Sequence, residues 1–136
     1  MGVALLDSSA VVAFLDADDA LHVAADRAVR AVAREHTLAV SAVTIAELLT
    51  GAKRGRHGRH DEQVLRRFLS QVVRGRLPVD EQVAERSAEL RAANRGLRTP
   101  EALILATGDL HADVVVTGDA RWAKVSGVAA EIVTSS

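Results

Sequence analysis

Cysteine is absent from this sequence, which excludes disulfides and thiolate-bound metal centres. Tyrosine is absent too, and Phe14, Phe68 and Trp122 make up the whole aromatic set. That is too few for the stacking platform on which single-strand binders lay successive bases. No apolar run approaches the roughly 20 residues that span a bilayer. The short apolar start meets Asp7 without a positively charged stretch before it, unlike a secretory signal. A membrane role is therefore not expected, and the chain reads as soluble and cytoplasmic. Charge of one sign is lacking as well: 17 basic residues face 18 acidic ones, so net charge alone points to no partner.

What is present fits one globular domain over residues 1–136, since 49% of the residues are apolar and the length allows a single sizeable core. The basic residues are unevenly spread. Between positions 53 and 76 lie Lys53, Arg54, Arg56, Arg59, Arg66, Arg67, Arg74 and Arg76, against Asp61 and Glu62. The glycine-interrupted part, positions 53–60, reads as a loop whose Lys53, Arg54 and Arg56 are candidates for contact with substrate phosphates. His57 and His60 lie three apart without the further partners that zinc needs.

Short apolar runs alternate with longer helical patterns. Strands are predicted over 3–6, 38–40, 114–117 and 131–133, with a short or edge strand at 77–79, where Pro78 interrupts any ladder. Helices are predicted from Ser8 or Ser9 to about Leu15, from Asp18 or Asp19 through Ala33, over 42–52 behind Ser41, over 61–73, and over 81–95 behind Asp80. A further helix opens at Thr99 as cap, with Pro100 at its first position, and a short one around Trp122 packs the edge. The acidic turn Asp16, Asp18, Asp19 lacks the glycine and distal glutamate of a calcium loop and reads as capping. Such alternation predicts an α/β fold with a mostly parallel sheet between helices.

In that architecture ligands bind beyond the carboxyl ends of the strands. Asp7 follows the first strand there, and Asp119 follows the 114–117 strand in the same way. Glu101 lies in the first turn of the helix that leads into that strand, so it faces the same edge. Glu47 sits mid-helix among Val43, Ile45, Ala46, Leu48 and Leu49, and reaches the edge only if its helix leans over the crevice. A capping box from Thr44 to Glu47 is the other reading of that acid, and dipole compensation is the other reading of Glu101. Carboxylates gathered at one place repel unless a cation intervenes. Hard oxygen donors suit Mg²⁺ or Mn²⁺, and such ions support hydrolysis of phosphodiesters.

The stretches LLDSSA, TIAELLTG, TPEALILAT and VVVTGDARW, in this order along nearly the whole chain, resemble the PIN-domain family, and the size and motif order are similar to VapC-type toxins. The resemblance implies a three-layer α/β/α sandwich and an Mg²⁺- or Mn²⁺-dependent endoribonuclease acting on RNA. It further implies a VapB-type antitoxin that covers the site, and commonly a homodimer. By motif position Asp7, Glu47, Glu101 and Asp119 take the catalytic places, with Asp7, Glu101 and Asp119 as metal ligands. Ser9 matches a hydroxyl beside the first acid, on the substrate side. Glu101 departs from the family's usual aspartate, which leaves an alternative: a PIN fold that binds RNA or an antitoxin with weak or no cleavage. A receiver domain would need paired acids after the first strand, where Ser8 and Ser9 stand, and a dehalogenase-like phosphatase would need an aspartate at Ser9.

Overall fold

A computed structural model of the chain describes residues 2–55, 61–125 and 127–134. Five strands, β1 (Gly2–Leu6), β2 (His36–Ser41), β3 (Gly75–Leu77), β4 (Val114–Thr117) and β5 (Ala130–Ile132), form one sheet in the order β3-β2-β1-β4-β5. Every neighbouring pair is parallel. The helices are α1 (Ser8–Leu15), α2 (His22–Ala33), α3 (Ala42–Lys53), α4 (Asp61–Gln71), α5 (Glu81–Ala93) and α6 (Thr99–His111), followed by a 3₁₀ turn at Ala120–Lys124.

The period of two along each strand produces the layers. Ala4 and Leu6 of β1, Leu38 and Val40 of β2 and Val116 of β4 join a core with Val11, Val29 and Phe68 on the side of α1, α2 and α4. Leu5, Ala39 and Val115 point the other way, into a core with Val83, Leu90, Leu105 and Trp122 on the side of α5 and α6. Covering both faces explains why β1 reads as an unbroken apolar run. The result is the expected α/β/α sandwich.

The layers come closest where α6 crosses β4. A Cβ added at Gly108 would collide with Val115 Cγ2. Gly108→Ala is expected to destabilise the domain by about 1–3 kcal/mol, the usual cost of overpacking a core, read as a lower midpoint in urea unfolding. An unchanged midpoint would mean that the α6–β4 spacing is looser than described.

Several boundaries differ from the sequence expectation, for local reasons. Asp7, rather than Ser8 or Ser9, is the cap of α1, because its carboxylate accepts the Ser8 N–H. The α2 cap is Leu21, without a side-chain bond; Asp19 instead accepts the Leu21 N–H and Asp16 that of Asp18, so the acidic turn is self-contained. Arg98, not Thr99, is the cap of α6, and it too offers no side-chain bond. Ser41 and Asp80 cap α3 and α5 as expected, which removes the Thr44–Glu47 capping box. β3 ends at Leu77, just before Pro78.

After β1 the chain builds outward through β2 and β3, then returns to place β4 against the free side of β1. The strand order reverses between β1 and β4. That switch point opens a crevice at the carboxyl ends of these two strands.

Candidate functional site

Asp7 lies at the end of β1, 6% exposed. Its Oδ1 accepts the Ser8 N–H at 2.8 Å, while Oδ2 accepts the hydroxyls of Ser9 and Thr117, each at 2.8 Å. These hydroxyls also tie β4 to β1: Ser9 Oγ accepts the Gly118 N–H at 2.9 Å and Thr117 Oγ1 accepts that of Asp119 at 3.0 Å. Burial raises Asp7 above its ordinary carboxylate pKa, bonds from Ser9, Thr117 and Ser8 oppose that rise, and the charge of Glu47 adds to it.

Glu47 reaches across from α3, taking the Ser8 hydroxyl at 2.6 Å. It is solvent-exposed despite its apolar sequence neighbours, because Ala42 and Ala46 of the same helix are exposed as well. Asp119 meets Arg121 through Nε at 3.0 Å and through a terminal nitrogen at 2.6 Å. The hydrogen bond from Arg121 holds Asp119 below the ordinary carboxylate range, and the same pairing raises Arg121. Arg121 also lies 3.7 Å from Glu101 Oε1, which accepts two N–H bonds from Arg98 at 2.9 and 3.2 Å. A chain of contacts thus runs Glu47–Ser8–Asp7–Thr117–Asp119–Arg121–Glu101 along the mouth of the crevice.

The PIN domain matches residues 4–128 of the chain. The chain belongs to the PIN-domain family. Among solved structures, a toxin–antitoxin complex from Klebsiella pneumoniae is 30% identical, with a TM-score of 0.73 over 92% of this chain and 94% of that one. VapBC2 from Rickettsia felis, bound to a promoter DNA fragment, has a TM-score of 0.79 at 16% identity, covering 96% of this chain and 98% of that one. The Mycobacterium tuberculosis toxin VapC20, which cleaves the sarcin–ricin loop, has a TM-score of 0.68 at 22% identity, covering 92% and 96%. The comparison with curated proteins returned no match.

All four acids singled out in the sequence belong to this chain of contacts, but they are not equivalent. The Asp7 carboxylate is joined through the Thr117 hydroxyl to the backbone N–H of Asp119, Glu47 takes the hydroxyl of Ser8, and Glu101 stands behind Arg121. Among the described residues no three Asp, Glu, His or Cys side chains are grouped so as to hold a metal ion together. The donor chemistry nonetheless suits a hard cation: carboxylate oxygens beside hydroxyls, with no sulfur or imidazole. Glu101 Oε2 accepts no hydrogen bond among the described residues.

Of the basic candidates, Lys53 is paired with Glu62 at 3.0 Å, which ties α3 to α4, and Arg54 is exposed. Arg56, like His57 and His60, lies outside the described residues. Ser9 is exposed, yet its hydroxyl is engaged with Asp7 and Gly118, so it orients the first acid. Sequence reading missed Ser8, Thr117 and Arg121. A threonine closing a β-branched run looks like strand propensity alone. The one available signal was its position two residues before Asp119.

No helix among the described residues is long and apolar enough to cross a membrane.

Proposed function

We propose that this PIN domain is the toxin of a toxin–antitoxin pair and hydrolyses RNA phosphodiester bonds with Mg²⁺ or Mn²⁺. The observation that carries the reading is the linkage across the switch point, where the Thr117 hydroxyl donates to the Asp7 carboxylate and accepts the backbone N–H of Asp119, which ties together the two chain segments that bear these acids beyond adjacent parallel strands. Asp7 and Asp119 would hold the ion, with Glu101 and Glu47 completing the acidic wall. A bound divalent ion supplies a hydroxide from water and charge stabilisation at the phosphoryl oxygens.

The chain's own residues prepare that chemistry. Ser9 and Thr117 fix the Asp7 carboxylate in one orientation and leave Oδ1 with a lone pair beyond its bond to Ser8. Burial makes ionised Asp7 costly, so a cation beside it relieves a strain built into the fold. Arg121 balances Asp119 and Glu101 when no other cation does. A VapB-type antitoxin as partner is supported by the similar toxin–antitoxin complexes. A homodimer and a cytoplasmic place follow from the family reading.

A second reading, binding with little cleavage, is favoured by one observation: Arg98 and Arg121 both lie on the single Oε1 of Glu101. The test is cleavage of total cellular RNA by the purified protein with Mg²⁺, Mn²⁺ or EDTA, beside Glu101→Asp. Metal-dependent fragments from the unmodified protein are expected, and EDTA should abolish them. Activity in Glu101→Asp alone would favour the second reading, and silence from both would end the nuclease proposal.

A further inference from the structure

Beside the acids lies a cavity with a basic lining, to which Arg95 and Lys124 contribute from outside the sequence motifs. Its volume is ≈ 350 Å³, and its walls include Arg95, Arg121, Lys124, Glu101, Leu97 and Trp122. That volume is within the ~300–1,000 Å³ of clefts that hold small ligands. Three cations face one acid here, although the chain as a whole is close to neutral.

Two of those cations are free. Arg95 and Lys124 are exposed and have no ion-pair or hydrogen-bond partner among the described residues, whereas Arg121 is shared between Asp119 and Glu101. Trp122, 2% exposed, adds an indole N–H that is buried without an acceptor among the described residues. A buried donor left unpaired costs stability. The start of α6 borders the same cavity, and its cap residue Arg98 supplies no side-chain acceptor for the first-turn N–H groups. Gly96, at φ +88°, turns the backbone away, and a Cβ placed there would meet no described atom within 4 Å, so the rim stays open.

The geometry points to a phosphate-binding subsite for the RNA strand in this cavity, with Arg95 and Lys124 holding a backbone phosphate next to the one being cleaved. The charged groups lining it are Arg95, Arg121, Lys124 and Glu101, and the one acid has Arg98 and Arg121 on its Oε1. The inference rests on the nuclease reading for the identity of the polyanion. It shifts the path of the strand from the loop after α3 to the junction of α5, α6 and the 3₁₀ turn. Anchoring one phosphate beside the acids would set the neighbouring phosphodiester over Asp7 and Asp119, the positioning on which in-line displacement depends.

The test is binding of a fluorescein-labelled ten-nucleotide oligouridylate in EDTA, where cleavage plays no part. It compares the unmodified protein, Arg95→Gln/Lys124→Gln, and a control with two charges removed from α2 and its end, Arg27→Gln/Arg34→Gln. The double change at the cavity should raise Kd about tenfold or more. It should also flatten the dependence of log K on log salt by about 0.7, the value for one lost single-strand phosphate contact. Both substitutions replace exposed, unpaired side chains, so the melting temperature should not move. Equal losses in the α2 control, an unchanged Kd at the cavity, or no binding by the unmodified protein would each overturn the subsite. So would weakened binding of a polyglutamate peptide with oligouridylate binding intact, which would mark the cavity as a protein-acid site. Loss of metal-dependent cleavage in the unmodified protein would sink the nuclease reading separately, without deciding this comparison.

Discussion

Asp7→Asn is expected to reduce metal-dependent RNA cleavage at least ~100-fold, the upper end of what even outer-shell partners of a metal contribute, while the domain stays folded. Asparagine can take over each structural duty of Asp7. It is as good a helix cap as aspartate, so its carbonyl accepts the Ser8 N–H at the start of α1. Its amide then donates to Ser9 and Thr117, whose hydroxyls can turn from donor to acceptor. The charge is lost, and with it the acceptor for the Ser9 and Thr117 hydroxyl protons.

The same substitution separates function from stability. Burial raises the pKa of Asp7 in the folded protein. The folded state then holds the proton more tightly than the unfolded chain, so the contribution of Asp7 to stability is greatest below the ordinary carboxylate pKa. It declines as pH rises through the folded value. Asp7→Asn removes this decline. Its melting temperature should match the unmodified protein in acid and exceed it at neutral pH. Melting curves from pH 4 to 8 and a cleavage assay decide the matter. An Asp7→Asn variant that cuts RNA within tenfold of normal would remove Asp7 from the chemistry.

Why Asp7 could be found from sequence, and other residues could not, depends on the kind of signal each leaves. Parallel strands buried on both faces write continuous apolar runs, so Val3–Leu6 and Val114–Thr117 announce themselves, and the first polar residues beyond them stand at strand ends. Asp7 and Asp119 are legible for that reason. The link from the Asp7 carboxylate to the Asp119 backbone N–H is not, because it runs through Thr117, and a hydroxyl in a β-branched strand carries no mark of the partner it will meet. Glu47 was legible as an acid among apolar residues, but its exposure depends on which face of α3 the sheet leaves uncovered. Caps were misplaced by a residue or more where several candidates stood together, as at Asp7, Ser8 and Ser9, since the winner is fixed by backbone angles. Arg121 left no signal at all: two residues after Asp119 it reads as one more surface cation.

That unmarked arginine carries the second prediction. Arg121→Ala is expected to tighten binding of Mn²⁺ on the order of tenfold at pH 7, from removal of one positive charge within a few ångströms of a divalent ion. In the unmodified protein the guanidinium lies 2.6 Å from Asp119 and 3.7 Å from Glu101, where it would compete with an ion held by these two carboxylates. An ion must displace it from at least one carboxylate. The gain should also depend on pH. Arg121 lowers the pKa of Asp119, so its removal lets that pKa climb back towards the ordinary value, and protons begin to compete with the metal at a higher pH. The advantage of Arg121→Ala is therefore full near neutrality and shrinks as pH falls into the carboxylate range. Free Mn²⁺ measured by electron paramagnetic resonance during titration of the RNA-free protein reads this directly, without reference to cleavage. Binding no tighter than in the unmodified protein would mean that Arg121 swings clear of the acids at no cost, and that it balances them without competing for them.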